Sequence, residues 1–341
     1  MVHDFLSQYG LFLAETLTWL AAVAVVVGLA AGLLRSARQP ASERLEIKNV
    51  NRRLQRLAEA LQHELLPPPE FKREHKRRRA EDKARKRAAK RGETRPRVFV
   101  LDFHGDLGAS QVEALREEIS ALLQVAQAKD EVLLRLESPG GMVHGYGLAA
   151  YQLRRIRERG LKLTAAVDKV AASGGYMMAC VADRIVAAPF AIVGSIGVVA
   201  QLPNFSRWLR EHNIDYELHT AGEYKRTLTL FGENTEAGRA KFREEIERTH
   251  VLFKEFVATN RPALDLAKVA TGEHWFGSQA LALGLVDELR SSDDYLLARV
   301  AEADVYELRF RLRRGLRQQL MDGLGKLSAA ASLLDFSKRG L

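Results

Sequence analysis

The sequence holds a single cysteine, Cys180, in 341 residues. An internal disulfide is therefore excluded, and so is a metal site built from several thiolates. The apolar neighbours of Cys180 make it a core residue rather than a reactive one. Aromatic residues are also few, at 7%, and they are nearly absent where the chain is most basic. Between residues 72 and 97 there are 14 basic and 4 acidic side chains, with Phe71 and Phe99 only at the edges. Nucleic-acid readers interleave stacking rings with their charges, so this run reads as a solvated linker that touches anionic lipid, and no nucleic acid is expected as a partner. A third lack is basic charge at the start. No Lys or Arg precedes residue 16, whereas Asp4 and Glu15 do, and a cleaved leader would want basic residues there.

Directly after that start comes a run of 19 uncharged residues, 16–34, close to the ~20 that a helix needs to cross a bilayer. It reads as a membrane anchor behind an N-terminal segment, 1–15. Arg35, Arg38, Arg44, Lys48, Arg52 and Arg53 come closely behind it, and that asymmetry favours a cytoplasmic side for everything downstream. The net charge of +9 is unevenly placed, because residues 35–97 hold 21 Lys/Arg against 9 Asp/Glu. The basic character thus belongs to a helical linker, 35–97. Ser42 is placed to cap a helix there, with Ile47, Val50, Leu54, Leu57 and Leu61 at three- and four-residue steps. Two heptads suit a short self-associating, coiled-coil-like or membrane-adjacent helix, ended by Pro67, Pro68 and Pro69.

From residue 98 the pattern becomes an alternation of apolar runs and amphipathic stretches. Strands are expected at 98–103, 131–136, 161–167, 184–188 and 216–220. Helices are expected at 110–128, 147–159, 203–210 and 235–260, with 264–303 helical but broken. That rhythm predicts an α/β fold with a mostly parallel sheet over 98–303. Residues 185–202 are uncharged, but Pro189, Gly194 and Gly197 interrupt them, which fits buried strands and turns better than a second span. The last stretch, 304–341, rich in Arg and Leu, reads as a basic amphipathic tail.

Two glycine-rich corners carry the chemistry. Ser-Pro-Gly-Gly at 138–141 and Ala-Ser-Gly-Gly-Tyr at 172–176 each follow a strand-like run and open a helix. Ser173 is a candidate nucleophile, with the backbone N–H groups of Gly174 and of Gly140 or Gly141 as donors to an oxyanion. A serine needs a base within reach. His104, His144 and Lys225 are all candidates on spacing alone, a lysine qualifying only if desolvation or nearby positive charge keeps it neutral. Ser195, in Gly-Ser-Ile-Gly-Val at 194–198, is a rival serine whose flanking glycines suggest a supporting turn beside the site. Asp287 reads as a capping or salt-bridging residue.

These two corners, with Gly-Ser-Ile-Gly-Val at 194–198 and Gly-Glu-Tyr-Lys-Arg at 222–226, resemble the signal peptide peptidase A family of serine peptidases. The match covers roughly 98–290 and takes the anchored, single-domain form of that family. The resemblance implies a Clp/crotonase-like spiral of ββα units, with Ser173 as nucleophile, Lys225 as general base, and an oxyanion hole from Gly141 and Gly174. Gly140 and Ser195 lie beside these. It implies a serine endopeptidase in the bacterial inner membrane, acting on unfolded or membrane-released peptides as a homo-oligomer, with no cofactor and no metal. It also pulls the catalytic domain toward the outer face, against the charge rule. Arg226 departs from the small residue that relatives often have after the lysine. A crotonase-type acyl-CoA enzyme and a non-catalytic scaffold are the alternatives on the same fold.

Overall fold

The computed structural model describes residues 16–20 and 43–311. The expected anchor at 16–34 therefore lies outside the described residues except for a helical stretch at 16–20, and so does the tail after 311. Among the described residues no helix is long and apolar enough to cross a membrane. Residues 45–310 form one compact unit.

The strands are β1 (Arg44–Asn49), β2 (Arg97–His104), β3 (Glu131–Glu137), β4 (Lys162–Val167), β5 (Val170–Ala172), β6 (Arg184–Ala187), β7 (Ile192–Gly194), β8 (His274–Phe276), β9 (Glu288–Leu289) and β10 (Asp304–Arg311). The helices are α1 (Val50–Leu65), α2 (Pro68–Lys90), α3 (Val112–Val125), α4 (Val143–Glu158), α5 (Gly174–Ala179), α6 (Ser206–Glu211), α7 (Glu236–Asn260), α8 (Leu266–Val269), α9 (Gly277–Ala282) and α10 (Ser292–Glu302). A seven-stranded sheet runs β1-β10-β2-β3-β4-β6-β9, and a three-stranded sheet runs β5-β7-β8. From β10 to β9 every pairing in the large sheet is parallel. Val98 to Phe103 and Val132 to Leu134 are buried throughout, as strands covered on both faces by helices must be. Leu101 sits beside Leu134, and Leu134 beside Ala165, so β2, β3 and β4 end together. The corners that leave those ends are where an α/β sheet presents its ligands.

Several sequence expectations need correcting. The helix expected from Ser42 starts at Val50, and Asn49 caps it by accepting the Arg52 N–H at 2.8 Å. Residues 44–49 alternate apolar and charged side chains and enter the sheet as β1. Nor is 35–97 a separate linker over its described part, since α1 and α2 belong to the same compact unit. Val50 is buried, and Asn51 donates to the carbonyls of Val300 and Ala303 at 3.2 and 2.9 Å while accepting the Val305 N–H at 2.7 Å. The three prolines separate two helices, with Pro68 and Pro69 in the first turn of α2, where a missing N–H costs nothing. The tail expected from 304 begins as β10, which pairs with β2 from Asp304 to Glu307. No strand forms at 216–220, and 264–303 interleaves three short helices with β8 and β9. The uncharged run 185–202 supplies β6 and β7.

Charged side chains hold β10 in place. Glu307 lies 3.9 Å from Arg53 and 3.5 Å from Arg135, whose guanidinium also donates to Asp102 at 2.5 and 2.8 Å. Glu118, buried on α3, accepts the N–H of Phe310 at 2.7 Å. Burial pushes its carboxyl up to about 7, from an ordinary 4.5, against the pull of that hydrogen bond. In the unfolded chain the proton leaves near the ordinary value, so stability falls as pH rises from about 4.5 to about 7 and stays low above, by at most roughly 3 kcal/mol. Denaturant titrations at both ends of that window should show this loss for the wild type. In Glu118→Gln, which keeps an acceptor for Phe310, the loss should be small.

Candidate active site

β5 has only three residues before the chain must turn into α5. Ser173 makes that turn alone, at φ +50° and ψ −117°. A side chain in this region costs on the order of 1–3 kcal/mol and persists only where neighbours dictate it. Here they do, because the Ser173 N–H donates to Gly194 at 2.8 Å and its carbonyl accepts Met177 at 2.9 Å. Between residues 171 and 182 Ser173 is the one position that is not buried. The turn thus lifts one hydroxyl out of an apolar bed.

The glycines around it are demanded by close approach. A Cβ on Gly140, whose φ is +93°, would stand 2.7 Å from the Ser173 Cβ and 2.8 Å from the Gly174 nitrogen. One on Gly174 would overlap the Tyr146 ring, and one on Gly141 would overlap the backbone of Leu107. Neither the Gly141 N–H nor the Gly174 N–H donates to any group among the described residues. Met142, next in the chain, donates to the Leu107 carbonyl at 2.8 Å and pins the corner.

Ser138 ties the two corners together. Its N–H donates to Val170 at 2.8 Å and its carbonyl accepts Ala172 at 3.0 Å, so it bridges β5 directly ahead of Ser173. It is fully buried, which removes it as a nucleophile. Its Oγ lies 2.6 Å from the Tyr146 hydroxyl and accepts the Gly140 N–H at 3.1 Å. Tyr146 donates to the Asp106 carbonyl at 2.8 Å, so the proton between the two hydroxyls comes from Ser138, leaving its lone pairs for Gly140. Burial pushes the Tyr146 hydroxyl pKa up, which keeps this donor protonated. Sequence reading missed Tyr146, Asp106 and Leu107. The signal for Tyr146 was present, as a large ring between Gly145 and Gly147 on an apolar helix face.

Ser195 flanks the site. Ala172 pairs with Gly194, so Ser173 and Ser195 are the first residues beyond neighbouring strand ends, and both turn left-handed, at φ +50° and +54°. The Ser195 N–H donates to Glu273 at 2.6 Å. Among the described residues none of the candidate bases is hydrogen-bonded to Ser173. Lys225 is exposed in a turn where its N–H donates to Gly222 at 3.2 Å. His104 is exposed with Nδ1 3.8 Å from Glu137, and His144 is exposed on α4. Asp287 accepts Arg261 at 2.6 and 2.8 Å and the Ile185 N–H at 2.7 Å, a salt-bridging role. Cys180 is wholly buried, and its thiol is pushed up to about 12 by desolvation. Among the described residues no group of His, Cys, Asp and Glu could hold a metal ion.

Residues 4–153 match the family model for the N-terminal region of peptidase family S49, and 155–306 match that for peptidase family S49. The chain is 53% identical to the probable protease SohB of Haemophilus influenzae, over 93% of this chain and 92% of that protein. It is 58% identical to the probable protease SohB of Buchnera aphidicola, over 65% of this chain and 66% of that one. Among solved structures it is similar to a mutant of the 1510-N membrane-bound stomatin-specific protease in complex with a substrate peptide. That likeness has a TM-score of 0.42 at 13% identity and covers 67% of this chain and 98% of the other.

Tyr146→Phe removes one hydroxyl far from solvent and frees Ser138 to rotate away from Gly140. A displaced donor costs up to about 10² in rate, so phosphonate labelling of Ser173 should slow by roughly tenfold to a hundredfold. The melting temperature should change little, and labelling at the wild-type rate would remove the role of this chain of hydroxyls.

Proposed function

The chain belongs to peptidase family S49, and on that premise we propose that it is a membrane-anchored serine endopeptidase working through Ser173 and Lys225. The observation that carries this reading is the Ser173 turn, set so close to Gly140 that a Cβ there would stand 2.7 Å from the Ser173 Cβ, and flanked by two amides without partners among the described residues. In the proposed reaction the neutral amine of Lys225 takes the Ser173 hydroxyl proton as Oγ attacks a peptide carbonyl carbon. The oxyanion accepts the N–H groups of Gly141 and Gly174. The C–N bond then breaks, the leaving amine takes the proton from Lys225, and water hydrolyses the acyl-enzyme by the same route. No metal or cofactor enters these steps. The parallel pairing and the small second sheet support a Clp/crotonase-like spiral as the frame.

Lys225 reaches Ser173, in this reading, when the chain assembles as a homo-oligomer. The segment that carries it, 199–231, exposes Val199, Phe205, Trp208, Tyr216, Tyr224 and Phe231, and an apolar surface of this kind marks an interface. Covering it with a second copy would desolvate the lysine, as a base near neutral pH requires. The substrates are unfolded or membrane-released peptides, which alone are thin enough to enter a shared interior. Residues 16–34 anchor the protein in the inner membrane. The basic flank after them puts the catalytic unit on the cytoplasmic side, which protease protection in sealed inner-membrane vesicles reads directly.

Ser173→Ala and Lys225→Ala should each abolish cleavage of an unfolded peptide with the circular dichroism unchanged, whereas Ser195→Ala should keep activity within about tenfold. The wild-type rate should rise toward alkaline pH, since the base must be unprotonated, and should ignore chelators. Full activity in either of the first two variants refutes the dyad. Light scattering of the detergent-solubilised chain should give an oligomer, and Trp208→Glu with Phe231→Glu should yield an inactive monomer. An active monomer would sink the assembly.

A further inference from the structure

The reaction leaves α2 without a task, yet its charges are ordered. Lys72, Lys76, Arg79, Lys83, Arg87 and Lys90 recur at steps of four, three, four, four and three. At about 100° per residue they fall within an arc of roughly 80°, a stripe about 27 Å long. All six are exposed, and none pairs with a carboxylate among the described residues. The acids lie off the stripe, where Glu74 binds Arg77 and Arg78, and Glu81 faces Arg77. An ordinary solvated helix mixes both signs at four-residue spacing, because like charges there repel. A one-signed stripe on a rigid helix instead asks for a counter-charge.

The stripe is held at a fixed attitude to the catalytic unit. His63, Phe71 and His75 pack ring against ring across the proline turn, at 5.3 and 6.1 Å. Arg78 reaches back to Glu59 at 3.9 Å, and Asn51 bolts the base of α1 to α10 and β10. No aromatic or large apolar residue lies on the stripe. It therefore lacks the rings that stack on bases and the apolar face that inserts between acyl chains. Point charges along a straight, flat line match a plane of phosphodiester headgroups.

We propose that α2 is an electrostatic docking face for the anionic phospholipid headgroups of a bilayer. It would lie along the surface and fix how the catalytic unit stands on the membrane. The proposal is independent of the chemistry at Ser173, so a Ser173→Ala chain should dock equally well.

The test uses the full chain with a donor fluorophore on Ala80→Cys, beside the stripe, since native Cys180 is buried and will not label. Vesicles carry an acceptor on a headgroup and consist of phosphatidylcholine alone or mixed with phosphatidylglycerol. Energy transfer should be higher on the anionic vesicles and should fall as salt shortens the screening length from about 8 Å. A basic residue at such a surface strengthens binding roughly fivefold. The triple variant Lys76→Glu, Arg79→Glu, Lys83→Glu should therefore lose the extra transfer seen on the anionic vesicles, with unchanged circular dichroism and unchanged peptidase rate in detergent. Equal transfer on the two vesicle types, or no effect of the triple variant, overturns the proposal. A stronger response to a single-stranded oligonucleotide than to anionic vesicles at equal phosphate would overturn it too.

Discussion

Everything at the site depends on how Ser138 spends its polar atoms. Its backbone N–H and carbonyl are used on β5, and its hydroxyl is used on Tyr146 and on Gly140. A buried polar group left unmade costs on the order of 1–3 kcal/mol, so this serine has one arrangement that satisfies it and no cheap alternative. That single arrangement sets the distance between the glycine corner after β3 and the turn after β5. The strained φ of Ser173 is then imposed from both sides: Gly194 takes its N–H, and Gly140 packs under its Cβ. Precision here comes from the main chain, with side chains serving as spacers.

Much of this was legible in the sequence because glycine and serine punctuate it. A strand ending in Ala-Ser-Gly-Gly announces a turn that only small residues permit, and the alternation of apolar runs announced a parallel sheet. The three candidates for a base could not be separated, since the reach of a side chain depends on how irregular segments fold back. Asn51, Glu118 and Tyr146 were invisible for a related reason: each acts on partners distant in sequence, Asn51 on residues about 250 positions away. The strands β1 and β10 were misread as helix and tail. Their polar faces carry Arg, Glu and Lys, and a charged period-two pattern is easily mistaken for an amphipathic helix when the partner strand is unknown.

The unit divides into a closely packed part and a part with exposed rings and little regular structure. The sheet, α3, α4 and α5 are closed around buried apolar side chains, with charges paired across β2, β3 and β10. The segment 199–231 has one short helix and shows its rings to solvent. Ser173 belongs to the first part and Lys225 to the second. Under the proposed dyad, that separation holds the serine ready without having it armed.

The placement of β10 bears on the order of synthesis. The strand made last within this unit, Asp304–Arg311, lies between β1 and β2, among the first made. Until it leaves the ribosome, β2 has an open edge, Asn51 lacks the Val305 N–H it accepts, and Glu118 lacks the Phe310 N–H it accepts. Contacts of such wide sequence separation form late. From the synthesis of Ser173 until β10 follows, a nascent chain therefore carries its serine turn in a sheet that still lacks one strand. Completion of the catalytic unit is timed by its final strand.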